Sequence, residues 1–330
     1  MAQQIATMRP RPDATNRIVR VIGAVFVLSA ACNSEGLLGI KKSTTFTVGT
    51  ALHDIEVGTL ARSYVLHVPT RRPTSGNGTL MAYPLMIVLH GSAATGDDIR
   101  GTSNMDSVSE AHRWVVAYPN GVQGAGGLFP SDWNAGTCCG AAGRENIDDV
   151  GFLQHVITEI ATSLPIDRRR VYVVGFSDGG RMAHHVACAM ASQIAGIAVV
   201  SGSLRDDQCA PSAAVPVIAI HGTDDANVPW DEAADTPPLI ALTGLASTLP
   251  PSMQFWASKN GCTSGSSSAL SAHVDQTLFP LCKNAELAFY AIIGGAHTWP
   301  MLVNSASANP DETFGTTAII ALFLKRQALK

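Results

Sequence analysis

Around Ser177 the chain reads "RRVYVVGFSDGGRMAHHVACAM", from Arg169 to Met190. A serine set between Gly175 and Gly179 in the spacing G-x-S-x-G can be a nucleophile for acyl transfer, or no more than a glycine-rich turn. A serine hydroxyl at its ordinary pKa attacks poorly, so the chemistry requires a base to take its proton and an acid to orient that base. After Ser177 the histidines are His184, His185, His221, His273 and His297. His184 and His185 fall on the segment behind the serine and point away from its mouth. His221 ends the apolar run "VIAIHG", where a structural hydrogen bond is expected, and His273 lies in a polar loop. His297, in "YAIIGGAHTWP", follows a late strand whose glycines let a tight loop reach over the serine. It is the expected base. For the acid, "HGTDDANVPW" offers Asp224 and Asp225 at a strand end, and the residues alone do not separate them.

Attack on a carbonyl also needs two backbone donors for the oxyanion. One is expected from the N–H of Asp178, the residue after the serine; its backbone matters here more than its carboxylate. The other is expected from the loop in "IVLHGSAATG", where the Ser92 N–H is favoured over that of Gly91. Trp133 and Trp299 are candidate walls of the acyl or alcohol pocket. This chemistry needs no cofactor and no metal, and no His/Cys spacing forms a zinc set.

These residues need elements to hold them. "PLMIVLHG", "RWVVAYPNG", "RVYVVGFS", "GIAVVSGS", "VPVIAIHG" and "LAFYAIIG" are short apolar runs, rich in β-branched residues and closed by turn-formers. Such runs read as strands buried on both faces. Between the second and third, Ile147, Val150, Leu153, Val156, Ile157, Ile160 and Leu164 make one helical stripe, with Asp148 and Asp149 in its first turn. "ETFGTTAIIALFLKR" reads as a closing helix, "RSYVLHVP" as an antiparallel strand at the sheet edge, and "CTSGSSSAL" as a short loop. Alternation of this kind predicts an α/β fold: a mostly parallel sheet with helices on both faces.

Taken together, "HGSAATG", "SDWNAGTCCG", "IDDVGFL", "GFSDGGRMA", "HGTDDANVP" and "GGAHTWP" resemble the secreted polyhydroxybutyrate-depolymerase and feruloyl-esterase group of α/β hydrolases. The resemblance runs from about Tyr64 to the C-terminus. It implies the α/β-hydrolase fold, with Ser177 as nucleophile, His297 as base and the acid on Asp225. It also implies an ester substrate: a polyester oligomer, a feruloyl or acetyl polysaccharide, or a small ester. The short stretch between Gly202 and Val215 leaves no room for a large lid. Asp178 departs from the family, which often has a small or amidic residue there. A negative charge beside the reacting ester would shift the pH optimum or disfavour acidic substrates. An acetyl xylan esterase or an acyltransferase on the same fold is the alternative. A non-catalytic binding protein, the alternative of another class, would lack a triad member.

The chain has 330 residues, 46% hydrophobic and 15% charged, the composition of an ordered globular protein. A net charge of −4 without a basic block gives no reason to expect nucleic acid as a partner. Arg9, Arg11, Arg17 and Arg20 precede "VIGAVFVLSAAC", which fits an export signal over residues 1–31 and is short for a membrane span. "LSAAC" resembles a lipobox with Leu28 one place too far upstream, so a lipid anchor at Cys32 and plain secretion both fit an extracellular or periplasmic protein. Residues 32–58 then read as linker and edge segment, and 59–330 as one catalytic domain. The remaining cysteines are even in number, which in an exported protein implies disulfides. Cys188–Cys209 and Cys262–Cys282 are the expected local pairs; Cys138 and Cys139 could bridge each other or separate partners.

Overall fold

The computed structural model describes residues 46–123, 131–232, 243–280, 282–302 and 307–329. The export segment and Cys32 lie outside the described residues. The chain enters the fold through a hairpin, β1 (Gly49–Val57) and β2 (Leu60–Val68), and continues into β3 (Tyr83–Leu89). Helices α1 (Gly96–Ser103) and α2 (Met105–His112) lead to β4 (Val115–Pro119), then to the short strands β5 (Val122–Gln123) and β6 (Ser131–Asp132). Next come α3 (Gly140–Arg144), α4 (Asp149–Ser163), β7 (Ile166–Phe176) and α5 (Asp178–Ala189). Strands β8 (Gly196–Val200) and β9 (Val217–Gly222) precede α6 (Pro251–Asn260). The hairpin β10 (Ser266–Ser271) and β11 (Val274–Phe279), then β12 (Leu287–Ile292) and α7 (Thr316–Leu324), complete the order.

Ten strands form one sheet in the order β1-β2-β4-β3-β7-β8-β9-β12-β11-β10. The six from β4 to β12 run parallel to one another, and an antiparallel hairpin pairs onto each side. This is the mostly parallel sheet expected from the alternating apolar runs, in the α/β-hydrolase arrangement that the resemblance implies. "RSYVLHVP" is antiparallel as expected, but it is not the edge: β1 pairs along its whole length and lies outside it. "CTSGSSSAL" is not simply a loop either, since Ser266–Ser271 is an edge strand paired to β11. Its side chains are all exposed, so it carries no apolar alternation to read.

The parallel strands alternate side chains between two cores. Leu85, Ile87 and Leu89 of β3 meet Phe152, Leu153 and Val156 of α4 and Met182 and Val186 of α5 within one cluster. Met86 and Val88 face the other side, with Ile99, Met105 and Val108 of α1 and α2 and Ile320 and Phe323 of α7. Burial of each such side chain stabilises the fold by about 1.5–3 kcal/mol before conformational entropy is counted. The carboxylates expected in the first turn of α4 divide their work. Asp148 is the N-cap and accepts from the Gly151 N–H, whereas Asp149 turns inward to Arg62 at 2.7 Å and also accepts from the Asn134 N–H. That buried pair ties β2 and the "SDWNAG" loop to the start of α4. From β3 the chain moves outward to β4 and then crosses back to β7 on the other side. The crevice between the C-terminal ends of β3 and β7 is therefore a topological switch point, where open α/β sheets bind ligands.

Candidate active site

At the end of β7 the chain turns so sharply that Ser177 takes φ 57° and ψ −121°, a left-handed conformation costly for any residue with a side chain. The flanking glycines follow from contact distances. A Cβ on Gly175 would sit 1.9 Å from the Gly179 carbonyl oxygen, and one on Gly179 would sit 2.3 Å from that of Leu89. The turn thus packs helix α5 directly onto the end of β3, leaving the serine hydroxyl at the crevice.

His297 and Asp225 arrive from loops bound to each other. The Asp224 N–H donates to the Gly295 carbonyl, the Gly294 N–H to the Thr223 hydroxyl oxygen, and the Ala296 N–H to Asp311. A Cβ on Gly222 would lie 2.2 Å from the Gly295 oxygen, so the ends of β9 and β12 touch backbone to backbone. His297 Nε2 stands 2.8 Å from Ser177 Oγ, and its Nδ1 stands 2.7 Å from Asp225 Oδ2. With Nδ1–H donating its hydrogen bond to the carboxylate, Nε2 is left to accept from the hydroxyl. Asp225 is buried and also accepts from the Asn227 and Val228 N–H groups at 3.0 and 2.8 Å. Burial pushes its carboxyl upward, but hydrogen bonds from His221, the Val228 N–H and His297 outweigh this and hold it well below the usual carboxylate range.

The structure separates the residues that the sequence left open. Asp224 is exposed and accepts from its neighbour Thr223, with no bond to His297. His221 Nε2–H donates to the Val228 carbonyl at 2.7 Å and faces Asp225 at 3.3 Å, the structural bond expected of it. His184 is fully buried behind the serine and accepts from the Trp256 indole N–H, and His185 pairs with Asp206. His273 sits at the β10–β11 turn.

Ser92 and Asp178 border the same cleft as Ser177 and His297, a concavity of about 440 Å³ with Ile99, Phe176 and Val228 as apolar lining. The N–H of Asp178 is in the first turn of α5, where no intrahelical carbonyl can take it. The loop bearing Ser92 is held by the "SDW" residues: Ala93 N–H donates to the Ser131 carbonyl, Ser92 Oγ–H to Asp132 at 2.5 Å, and the Trp133 indole N–H to the His90 carbonyl. Trp133 is therefore not a pocket wall. It is wholly buried, with its ring against His90, because its N–H is needed beneath the loop. Trp299 is likewise buried and donates to Thr317, standing behind Phe176 rather than in the cleft. Phe176, whose ring lies 5.1 Å from that of His297, is the aromatic that does border the cleft. Its position directly before the serine was the available signal.

His90 has both ring nitrogens occupied. Nδ1–H donates to the Gly91 carbonyl and Nε2 accepts from the Gly121 N–H, while burial lowers its pKa to about 4. It is neutral and fixed. Asp178 is buried, and burial raises its carboxyl above the usual range although Arg181 stands 3.1 Å away. Cysteines pair as Cys188–Cys209 and Cys262–Cys282, with Cys138 bridging its neighbour Cys139.

The family model described as Phospholipase/Carboxylesterase matches residues 148–244, the stretch that carries the serine turn and Asp225. Feruloyl esterase B of Piromyces equi is 28% identical over 226 residues, 66% of this chain but only 40% of that protein. Feruloyl esterase C of Emericella nidulans is 27% identical over 262 residues, covering 77% of this chain and 82% of the relative. Among solved structures, the acetyl xylan esterase from Aspergillus awamori superposes with a TM-score of 0.53 at 15% identity, over 76% of this chain and 95% of that one, a likeness of fold. With its parallel sheet and its switch-point cleft the chain has the α/β-hydrolase fold, and the esterases it is similar to along most of its length support a carboxylic ester hydrolase.

Proposed function

We propose that the protein is an exported serine esterase in which Ser177, His297 and Asp225 form a catalytic triad. The observation that carries this is the unbroken chain of hydrogen bonds from Asp225 through His297 to Ser177, ending on a strained serine at the switch point. Ser177 Oγ attacks the ester carbonyl as His297 Nε2 takes its proton; Asp225, held as a carboxylate, orients the imidazole and stabilises its charged form. The N–H groups of Asp178 and Ser92 receive the oxyanion. Collapse of the tetrahedral intermediate releases the alcohol with the proton from His297, leaving an acyl-enzyme on Ser177. Water, deprotonated by the same histidine, then releases the acid and regenerates the serine.

Feruloyl or acetyl esters of polysaccharides are the substrate class that the names of the relatives favour. Hydroxybutyrate oligomers are the class that the sequence motifs add. Export is supported by the basic and apolar N-terminal segment and by the disulfides. Among the described residues no helix is long and apolar enough to cross a membrane.

The test is hydrolysis of short nitrophenyl esters, methyl ferulate, acetylated xylan and hydroxybutyrate oligomers by wild type and Ser177→Ala. The variant is expected to lose roughly 10⁴-fold or more in kcat on the best substrate. A variant that retained its rate would remove Ser177 from the chemistry.

A further inference from the structure

Beside the serine runs a row of alternating charges. Asp178 Oδ1 meets Arg181 Nη1 at 3.1 Å, and Arg181 Nη2 meets Glu232 Oε2 at 3.2 Å. Glu232 Oε1 meets Arg205 Nη1 at 3.2 Å, and the Ser203 hydroxyl donates to Glu232. The sulfurs of Cys138 and Cys139 lie 3.7 and 3.8 Å from Arg181 Nη1, so the guanidinium is held from a third side. The Asp178 and Arg181 side chains are only 10% and 16% exposed, and both residues border the cleft. Screening by solvent is weak at such a place, and a net charge there acts strongly on a nearby reacting group.

An uncompensated Asp178 carboxylate would oppose the reaction. It belongs to the residue whose N–H faces the forming oxyanion. A second carboxylate, the buried Asp132, also pushes the Asp178 carboxyl upward. The groups facing Asp178 are Arg181 from its own helix, Asp132 from β6 and His297 from the loop after β12. Of these, Arg181 is the fixed cation. An ordinary exposed helical pair at this spacing contributes little. This one is buried, continued by a second pair and set one turn from the serine.

We propose that Arg181 is a positioning residue of the ester hydrolysis, acting through Asp178: it cancels the carboxylate's charge toward the oxyanion and leaves the Asp178 N–H free to donate. The proposal rests on the triad reading above. It accounts for how the departure at Asp178 is tolerated, because the charge that would disfavour the reaction is neutralised four residues after the serine.

The experiment compares wild type, Arg181→Gln, Arg181→Lys, Asp178→Asn and the Arg181→Gln/Asp178→Asn pair in the full chain. Initial rates are read on a neutral nitrophenyl ester across the pH range, with active sites counted by fluorophosphonate labelling of Ser177. Arg181→Gln is expected to lose roughly 10- to 100-fold in kcat with little change in KM, and its rate should fall on the alkaline side where wild type stays level. Arg181→Lys should recover most of that rate. The double variant should regain about 10-fold over Arg181→Gln and lose the alkaline fall. A double variant as slow as Arg181→Gln, or an Arg181→Gln profile parallel to wild type, would overturn the proposal. Should Arg181→Gln fail to fold, the double variant decides: a kcat close to that of Asp178→Asn upholds the proposal, and a large deficit overturns it. Failure of wild type to label at Ser177 would overturn the triad reading and this proposal with it. A labelled wild type beside a fully active Arg181→Gln overturns this proposal alone.

Discussion

Ser177 and Asp225 lie 48 residues apart in sequence and Asp225 and His297 lie 72 apart, yet close packing of the backbone around each residue brings them together. The serine is set by the two glycines that let α5 touch β3, and the histidine by the glycines after β12. Asp225 is set by its own turn, in which one carboxylate oxygen takes two N–H donors and leaves the other for the imidazole. The neighbouring Asp224 has no such geometry. Kinetics on a common ester should separate them: Asp225→Asn is expected to lose about 10³- to 10⁴-fold in kcat, since an amide presents the imidazole with the wrong partner, whereas Asp224→Asn stays within about 2-fold. Equal losses would mean that the bond seen between Asp225 and His297 is not the one used.

At the scale of elements, the α5–β3 contact is the most demanding in the site. Gly179 has the Leu89 and His90 carbonyls at 2.3 and 2.5 Å from where a Cβ would stand, and neither backbone can retreat without moving a central strand. Gly179→Ala is expected to lower the stability of the protein by about 3 kcal/mol or more, read as a drop in the denaturation midpoint. An unchanged midpoint would show that the turn can open without cost. The strands that carry this contact could be read directly, because segments buried on both faces are continuous apolar runs. β10 could not, because its serine-rich exposed face has no period, and only its partner β11 gives it a register. The "SDW" residues show the same limit. Their types suit a pocket, and only their positions beneath the Ser92 loop reveal a support.

For the whole molecule, pH acts through histidines folded in the neutral state. Burial lowers His90 to about 4 and His184 to about 3, so the native chain does not take up their protons until the solution is strongly acidic. The unfolded chain binds them near pH 6.5. Below that value the unfolded state holds more protons, and stability falls with decreasing pH until the folded values are reached. Denaturation midpoints should therefore be nearly flat above pH 7 from these groups and decline from about 6.5 toward 4 and below. His184→Asn, which keeps an acceptor for the Trp256 indole, should make that decline shallower. The depressed Asp225 carboxyl acts in the same direction but lower: its stabilisation is present above its unfolded pKa and is lost only as the solution becomes far more acidic.

Local chemistry wrote much of this protein into its sequence. Apolar runs broken by glycine specify the parallel strands, and G-x-S-x-G after such a run specifies the serine turn, since both follow from steric rules that act over a few residues. That Ser177, the pair Asp224 and Asp225, and His297 each follow the end of a strand was legible for the same reason. The tertiary structure decided what depends on neighbours distant in sequence. It set Asp225, rather than Asp224, against His297, moved Trp133 and Trp299 from the pocket to the core, and set Arg181 against Asp178, Glu232 and the Cys138–Cys139 bridge. A side chain's type and spacing fix what it can do; whether it faces a cleft, a core or a counter-charge is fixed only when the sheet brings its loops together.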